Sequence, residues 1–271
     1  MPVLPDYFRR RNRKPKYPGL WRGLGFLASP ELGATGGVLY GRNGMGFTGT
    51  LTNYTLADAW DYGGAGMSLK GNGSNSYVDF GDICKVTTND FSIGVWFRRT
   101  TAANGGLIVK TKAGPTNGRY GFYLDSTGTV LTLLAEAGPG TTFQTATLGV
   151  AADSQWHLAV GTYDRDGLMR LYYDGRERAT ADISAGNGND WTTTFSFFLS
   201  AYADSTGAAP LSGYSFNGNI GTAFFYDRLL THAEVFCLSR SSLTHYASAP
   251  RKTYGVSTAN RRRRLLLAGK I

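Results

Sequence analysis

Hydrophobic and polar residues alternate along most of the chain from Met67 onward. In the run FSIGVWFRR, Phe91, Ile93, Val95 and Phe97 fall on one face of an extended strand, because successive side chains of a strand point to opposite faces. Similar runs recur at hairpin spacing as far as GNIGTAFFYDR, and no long stretch has the period of an amphipathic helix. The pattern predicts about ten short antiparallel strands.

Turn residues fall between these runs. Asn-Gly and Asp-Gly dipeptides supply the positive φ angles that tight hairpins require. They begin at Asn43, Asn72, Asn104, Asn117, Asn187, Asn217, Asp166 and Asp174. Strands separated by such turns are typical of a two-sheet antiparallel sandwich. The Gly-rich stretch 23–66 shows no clear alternation, and we expect it to be irregular.

One short helix is predicted near residues 231–239. In THAEVFCLSR, Thr231 precedes Glu234 by three positions, which is the spacing of a capping box. Val235 and Leu238 would then face the core.

Charge divides the chain into a body and two arms. The net charge is +9, but residues 1–22 hold seven basic side chains against one acid, and residues 251–271 hold seven with none. The remaining residues carry 14 basic and 18 acidic side chains, so the body is mildly acidic. We therefore predict a basic arm over 1–22, a body over 23–245 and a second basic arm over 246–271.

The arms are predicted to dock the protein onto other proteins. Arginines would provide long-range attraction and the leucines of RRRRLLLAGKI an apolar anchor. The residues assigned to docking are Arg9, Arg10, Arg11, Arg13, Arg261, Arg262, Arg263, Arg264, Leu265, Leu266 and Leu267. Nucleic-acid contact is the less favoured alternative, and a membrane span would need about 20 apolar residues.

Two further features concern the compartment. No apolar run of about 7–15 residues follows the basic start, so we expect no signal peptide and folding in a cytoplasm. Cys84 and Cys237 match no metal-binding spacing, and we expect two thiols rather than a disulfide.

Four segments resemble the laminin G-like jelly roll of the concanavalin A-like lectin/glucanase superfamily. They are GNGSNSYVDFGD (71–82), FSIGVWFRR (91–99), QWHLAVGTYDRDGLMRLYYDG (155–175) and FNGNIGTAFFYDRLLTHAEV (216–235). Their order and spacing agree with the family. The resemblance implies an all-β, two-sheet antiparallel jelly-roll sandwich over about residues 67–245, closed by the short helix.

The layout of the whole chain also resembles that of virion proteins of tailed bacteriophages. KYPGLWRGL (16–24), GTLTNYT (49–55) and the Arg-rich end stand in corresponding places. This resemblance implies a structural component of a phage particle, in the head, neck or tail. Its partners would be other virion proteins or copies of itself, and it would be made in the host cytoplasm.

The sequence offers no catalytic motif. A glucanase of this superfamily would need clustered acids of the type E-x-D-x-E, whereas glutamate occurs only at positions 31, 136, 177 and 234. Asp164 and Asp166 fit a hairpin turn, and His157 and His232 fit structural roles. No cofactor motif is present. We expect a protein that is not an enzyme.

Calcium is the cofactor that the resemblance leaves open, since related jelly rolls often bind it. Many relatives read G-x-I-D-E in the closing strand, but this chain has Gly218 to Thr222 without either acid. Four loop carboxylates remain as oxygen ligands for a hard cation, namely Asp79, Asp82, Asp190 and Asp204. No metal site is assigned.

The alternative function is that of an adhesin or lectin module that recognises host cell-surface sugars. Aromatic side chains in or beside polar loops would stack on sugar rings. The candidates are Trp60, Tyr62, Trp191 and Tyr202, and packing in the core is the competing interpretation for each.

Deletion of residues 1–16 or 255–271 is expected to leave the body folded, because every motif of the jelly roll lies between residues 71 and 235. Both deletion variants should unfold within about 2 °C of the full chain in a thermal scan. A decrease in Tm of about 8 °C or more would show that an arm contributes to the core.

Overall fold

The structure, a computed structural model, describes residues 18–30, 34–42, 47–63, 66–111, 118–136, 143–204, 206–207 and 209–240. The docking residues predicted in the two arms, Arg9 to Arg13 and Arg261 to Leu267, lie outside the described residues. The described chain folds into two antiparallel sheets that pack face to face, with two short helices and two 3-10 turns.

The first sheet contains β1 Leu24–Ala28, β5 Trp60–Gly63, β6 Gly66–Asn72, β8 Phe91–Arg98, β13 Trp156–Tyr163, β14 Leu168–Tyr173, β15 Arg176–Asp182 and β19 Asn217–Tyr226. Its strands lie side by side in the order β5-β6-β19-β8-β13-β14-β15. Strand β1 follows β6 along the same side of β19.

The second sheet contains β2 Ala34–Thr35, β3 Val38–Arg42, β4 Thr48–Thr52, β7 Tyr77–Asp79, β9 Gly105–Lys110, β10 Arg119–Leu124, β11 Val130–Glu136, β12 Gln144–Gly149, β16 Phe197–Leu199, β17 Ala201–Ala203 and β18 Pro210–Ser215. Its order is β2-β3-β4-β7-β16-β9-β10-β11-β12. Strand β17 pairs with β18, which touches β9 through one parallel pair.

The core lies between the sheets and is rich in aromatic rings. Phe91 stacks on Tyr163 with ring centroids 4.2 Å apart, and Trp191 meets Phe91 edge-on at 5.8 Å. All three side chains are buried. Such pairs contribute about 0.5–1.5 kcal/mol each beyond the burial of their area.

A second apolar cluster covers part of the outer face of the first sheet. Helix α2, His232–Leu238, contributes Val235 and Leu238, and the 3-10 turn Pro18–Trp21 contributes Leu20. The Tyr226 hydroxyl donates to the carbonyl of Leu20 at 2.7 Å. Residues before position 23 therefore already pack against the body, whereas the charge pattern placed the start of the body at residue 23.

The predicted sandwich and its C-terminal helix are confirmed. The Thr231 hydroxyl accepts from the backbone N–H of Glu234, whose carboxylate accepts from the backbone N–H of Thr231. The Asp174-Gly175 turn has φ angles of 51° and 80°, as the hairpin prediction requires. Cys84 and Cys237 are free thiols.

The prediction of an irregular stretch over 23–66 is wrong. Strands β1, β3, β4 and β5 and the four-residue helix α1, Leu56–Ala59, lie within it. Strand β15 was also missed, because its sequence RERATAD is polar and exposed along the edge. In both places, pairing with a distant or neighbouring strand stabilises an extended backbone that the sequence does not mark by alternation of apolar and polar residues.

Arg228 ties the N-terminal turn to helix α2. Its guanidinium donates to both carboxylate oxygens of Glu234, at 2.7 and 2.8 Å. It also donates to the carbonyls of Gly19 at 3.0 Å and Arg22 at 2.8 Å. Only a planar guanidinium provides donors in this arrangement.

We therefore predict that Arg228→Lys lowers the free energy of unfolding by about 2 kcal/mol, because one ammonium cannot replace these charged hydrogen bonds. Urea unfolding would measure the loss. Arg178→Lys, on the exposed edge strand β15, is the matched control and should change stability by less than about 0.5 kcal/mol. Equal midpoints for the two variants would contradict the role given to Arg228.

Candidate functional site

The outer face of the second sheet carries aromatic and polar side chains. In β10, Tyr120, Phe122 and Leu124 point into the core. Alternation then places Arg119, Gly121 and Tyr123 on the opposite face. Thr132 and Leu134 of β11 lie on that face as the cross-strand neighbours of Tyr123 and Gly121. Among the described helices, α1 contacts β5 and β6 and α2 contacts β15, so neither packs on this face.

Three tyrosines from three strands form a cluster on this face. The ring of Tyr202 on β17 lies 5.3 Å from that of Tyr123 and 6.2 Å from that of Tyr214 on β18. All three are partly exposed. We call Tyr123, Tyr202 and Tyr214 the tyrosine cluster. Its members combine an apolar ring face with a hydroxyl that both donates and accepts hydrogen bonds.

Within the tyrosine cluster, the Tyr123 hydroxyl is uncharged at physiological pH. Burial raises the pKa of Tyr123, and the Thr132 hydroxyl and the nearby Arg119 only partly offset that effect. The Tyr123 hydroxyl therefore acts as a hydrogen-bonding group rather than as a base.

A buried ion pair lies further along the same face. The guanidinium of Arg119 pairs with the carboxylate of its cross-strand neighbour Glu136, and both residues are buried. The ring of Phe143 lies 4.9 Å from the Arg119 guanidinium carbon. Because the buried carboxylate is paired with a buried cation, Glu136 has a structural role in this sheet.

The structure separates the four aromatic residues predicted to bind glycans. Tyr202 belongs to the tyrosine cluster. Trp60 lies on the edge strand β5 and packs against the core. Tyr62 also lies on β5, but its side chain is outside the described residues. Trp191 is fully buried beneath the Arg165 guanidinium, whose central carbon is 4.0 Å from the ring centroid. The expectation of an exposed ring at Trp191 is therefore wrong.

Tyr123 and Tyr214 were missed by sequence reasoning. The alternation in RYGFYL carries a usable signal, since Tyr123 is the aromatic residue on the face opposite Tyr120 and Phe122. No local pattern reveals that Tyr123 meets Tyr202, because the two residues lie on strands that are far apart in the sequence.

His157 has its two ring nitrogens occupied. Nδ1 lies 2.7 Å from a carboxylate oxygen of Asp174, and Nε2 lies 3.1 Å from one of Asp153. The ring stacks on Tyr173 at 4.8 Å. A general base needs one nitrogen facing its nucleophile, so this arrangement fits a structural clamp between the β12–β13 loop and the Asp174 turn.

The four loop acids considered for calcium each bond to the protein. Asp82 pairs with Lys110 at 2.8 Å and Lys85 at 2.7 Å. Asp79, Asp190 and Asp204 accept hydrogen bonds from backbone N–H groups two residues further along the chain. Within the described residues, no three His, Cys, Asp or Glu side chains are grouped to hold a metal ion. Calcium binding stays a prediction without an assigned site.

The described helices are too short to span a membrane, and none is apolar enough over a sufficient length.

Residues 72–236 match the family described as the concanavalin A-like lectin/glucanases superfamily. The chain belongs to this superfamily. The match covers the four segments on which the resemblance rested and the strands between them. No curated protein matches this concanavalin A-like chain.

Several solved structures share the fold of the concanavalin A-like domain. The binding domain of botulinum neurotoxin serotype D is 8% identical, with a TM-score of 0.57 over 80% of this chain and 50% of that one. The binding domain of Paraclostridial Mosquitocidal Protein 1 is 15% identical, with a TM-score of 0.58 over 80% and 52%. This chain thus spans about half the length of those toxin domains.

A third structure is matched over nearly its whole length. It is domain 4 of AbnA, a GH43 extracellular arabinanase from Geobacillus stearothermophilus, in complex with arabinotriose. The identity is 19% and the TM-score 0.57, over 80% of this chain and 98% of that domain. At such identities the likeness shows a shared fold.

These comparisons contradict the predicted role as a structural component of a bacteriophage particle. The three structures are toxin binding domains and a domain of a polysaccharide-degrading enzyme, and none is a virion protein. The layout that suggested a phage protein consisted of Arg-rich and Gly-rich stretches, whose composition is not specific to one function. Of the two predicted functions, the comparisons favour the alternative, a glycan-binding adhesin or lectin module, over the virion role.

The His157 clamp predicts a pH dependence of stability. Burial alone would lower the pKa of His157, but the hydrogen bonds that its ring donates to the Asp174 and Asp153 carboxylates outweigh burial and raise the pKa above its usual value. The folded state thus binds this proton more tightly than the unfolded state. The clamp's contribution is complete below about pH 6.5 and is lost as pH rises through the folded-state pKa.

Urea unfolding of the native chain and of His157→Gln at pH 5.5, 7 and 8.5 would test this clamp. The free-energy gap between them should shrink with pH by up to about 1 kcal/mol. His232→Gln, on the exposed first turn of α2, is the control and should give a smaller change. A His157→Gln gap that widens with pH would contradict the clamp.

Proposed function

We propose that this domain is a non-catalytic carbohydrate-binding module that holds a glycan chain against the outer face of its second sheet. The tyrosine cluster carries the proposal. It brings three partly exposed rings from β10, β17 and β18 within 6.2 Å of their neighbours. A row of rings on a sheet matches the apolar faces of successive sugar rings.

The chemistry of tyrosine suits such a ligand. Each ring buries a large apolar area at a small cost in side-chain entropy, because tyrosine has only two side-chain torsions. Each hydroxyl can replace a water molecule lost from a sugar hydroxyl. The cluster is mounted on strands, and sites on regular elements hold their geometry better than sites on loops.

The setting of the glutamates supports a non-catalytic role. A glycosidase needs one carboxylic acid with a raised pKa and a second carboxylate nearby. Each of Glu136, Glu177 and Glu234 instead pairs with an arginine. Each of these carboxylates is thus engaged by a cation, and for Glu234 the pairing with Arg228 helps to lower the carboxyl pKa, the opposite of what a general acid needs.

The structural likeness is consistent with this proposal. Domain 4 of the arabinanase was solved with arabinotriose, and nearly the whole of that domain is matched by this chain. The identity of the glycan bound by the present chain is set by its own surface, and the tyrosine cluster is where we expect it.

Tyr123→Ala and Tyr202→Ala are each expected to weaken glycan binding at least about tenfold, equivalent to about 1.4 kcal/mol, because each removes a stacking surface. A glycan array on the native chain would identify a bound oligosaccharide. Isothermal titration calorimetry would then give its affinity for native and variant proteins.

The control variant is Tyr40→Ala, which removes a tyrosine that is 44% exposed on β3, five strands away from β10. It should bind like the native chain. Binding that survives loss of both Tyr123 and Tyr202 would overturn the assignment of this face. Release of reducing ends from the bound oligosaccharide would overturn the non-catalytic part of the proposal.

A further inference from the structure

A separate pocket lies where the β4–α1 connection meets strand β6. It encloses about 210 Å³. Its lining residues are Asn53, Tyr54, Thr55, Asp58, Ala59, Lys70, Gly71 and Asn72. The tyrosine cluster contributes none of them, so the pocket is a second site.

The Asn72 side chain fixes the floor of the pocket. Its Oδ1 accepts from the backbone N–H groups of Ser74, Asn75 and Ser76 at 2.9, 3.0 and 3.0 Å. Its Nδ2 donates to the carbonyl of Asn53 at 3.2 Å and to Oδ1 of Asn75 at 3.0 Å. Asn72 therefore shapes the pocket and has little hydrogen-bonding capacity left for a ligand.

Tyr54 forms a wall that is neutral at physiological pH. Burial raises the pKa of its hydroxyl to about 12, although the hydroxyls of Ser200 and Ser76 oppose the shift. Tyr54 as a whole residue is partly exposed. The wall thus offers an apolar surface without a charge.

Two opposite charges complete the pocket. Asp58 and Lys70 are both exposed. Neither makes an ion pair or a side-chain hydrogen bond with another described residue. Lys70 lies opposite Asn219 across the strand pair, but the Asn219 amide donates to Asp61 at 2.8 Å and to Ser68 at 3.1 Å. The ammonium and the carboxylate are therefore available to a ligand.

Charge and size narrow the class of ligand. A phosphate monoester carries nearly two negative charges at neutral pH, so Asp58 would repel it more strongly than a singly charged carboxylate, and Lys70 would repel a metal cation. A neutral sugar would leave the ammonium without a counter-ion. The volume is below the roughly 300–1,000 Å³ of sites for drug-sized ligands, so the pocket suits one sugar ring rather than an oligosaccharide.

We infer that this pocket binds a single carboxylated sugar residue of the uronic acid type. Its carboxylate pairs with the Lys70 ammonium, its hydroxyl groups donate to the Asp58 carboxylate, and its ring lies against Tyr54. The inference rests on the proposed function, since it adds an acidic sugar to the glycan held by the tyrosine cluster.

Titration of the full chain with D-glucuronate, followed by two-dimensional amide NMR, tests the inference. The amide signals of Thr55 to Ala59 and of Lys70 to Asn72 should shift and saturate at millimolar concentrations. D-Glucose is the neutral counterpart and should bind at least about tenfold more weakly. Lys70→Gln should reduce the preference for glucuronate over glucose to about twofold or less, because it removes the charge that selects the carboxylate.

Asp58→Asn should weaken the binding of glucuronate, because it removes the carboxylate that accepts hydrogen bonds from the sugar hydroxyls. The same change removes a negative charge from the pocket. A purely electrostatic attraction to any anion would instead be strengthened by this change. Matched charge changes at exposed positions elsewhere, Asp190→Asn and Arg178→Gln, should leave the titration unchanged.

Equal affinity for glucuronate and glucose, or shifts confined to residues outside the pocket, would overturn the inference. So would tighter binding by Asp58→Asn. These outcomes are separable from failure of the proposed function. Tyr202→Ala tests the tyrosine cluster with an oligosaccharide, whereas it should leave the glucuronate titration at the pocket intact.

Discussion

The register of strand β19 is the constraint on which the rest of the structure depends. This ten-residue strand pairs along one side with β8 and along the other first with β6 and then with β1. A bulge between Ile220 and Ala223 keeps both side chains in the core. Because a slip of one residue would turn every core side chain of a strand outward, this register is fixed by burial on both faces.

That register also brings together a group of hydrogen-bonded polar side chains in the first sheet. It places Asn219 between Lys70 and Arg98. Arg98 and Asn219 both donate to one carboxylate oxygen of Asp61, at 2.9 and 2.8 Å. These groups satisfy one another, which leaves Lys70 as the cation next to the pocket.

The two sheets differ in what covers their outer faces. Helix α2 and the Pro18–Trp21 turn pack on the first sheet, and Arg228 joins them. No described helix packs on the second sheet. Its tyrosines therefore keep part of their surface, and we place ligand binding there. Buried cations elsewhere serve the fold, as Lys110 does when it donates to Asp82 and to the carbonyls of Ile83 and Phe195.

The sequence by itself determined the two-sheet sandwich, its hairpins and its closing helix. These features follow from local rules, namely side-chain alternation, positive φ at Asp174 and Gly175, and the reciprocal cap of Thr231 and Glu234. The absence of an E-x-D-x-E motif was equally visible. Strand β15, which is polar and exposed, was not visible, and neither was β1, whose apolar residues do not alternate with polar ones.

Only the tertiary structure decided which of the candidate aromatic residues are buried and which are partly exposed. Trp191 and Tyr202 both lie in stretches rich in Gly, Asn, Asp and Ser, so composition does not distinguish them. The Arg165 guanidinium donates to three backbone carbonyls and lies over the buried ring of Trp191. Tyr202 instead contacts Tyr123 and Tyr214 on an outer face. The physical reason is that exposure depends on contacts between residues distant in sequence, and no local pattern encodes those contacts.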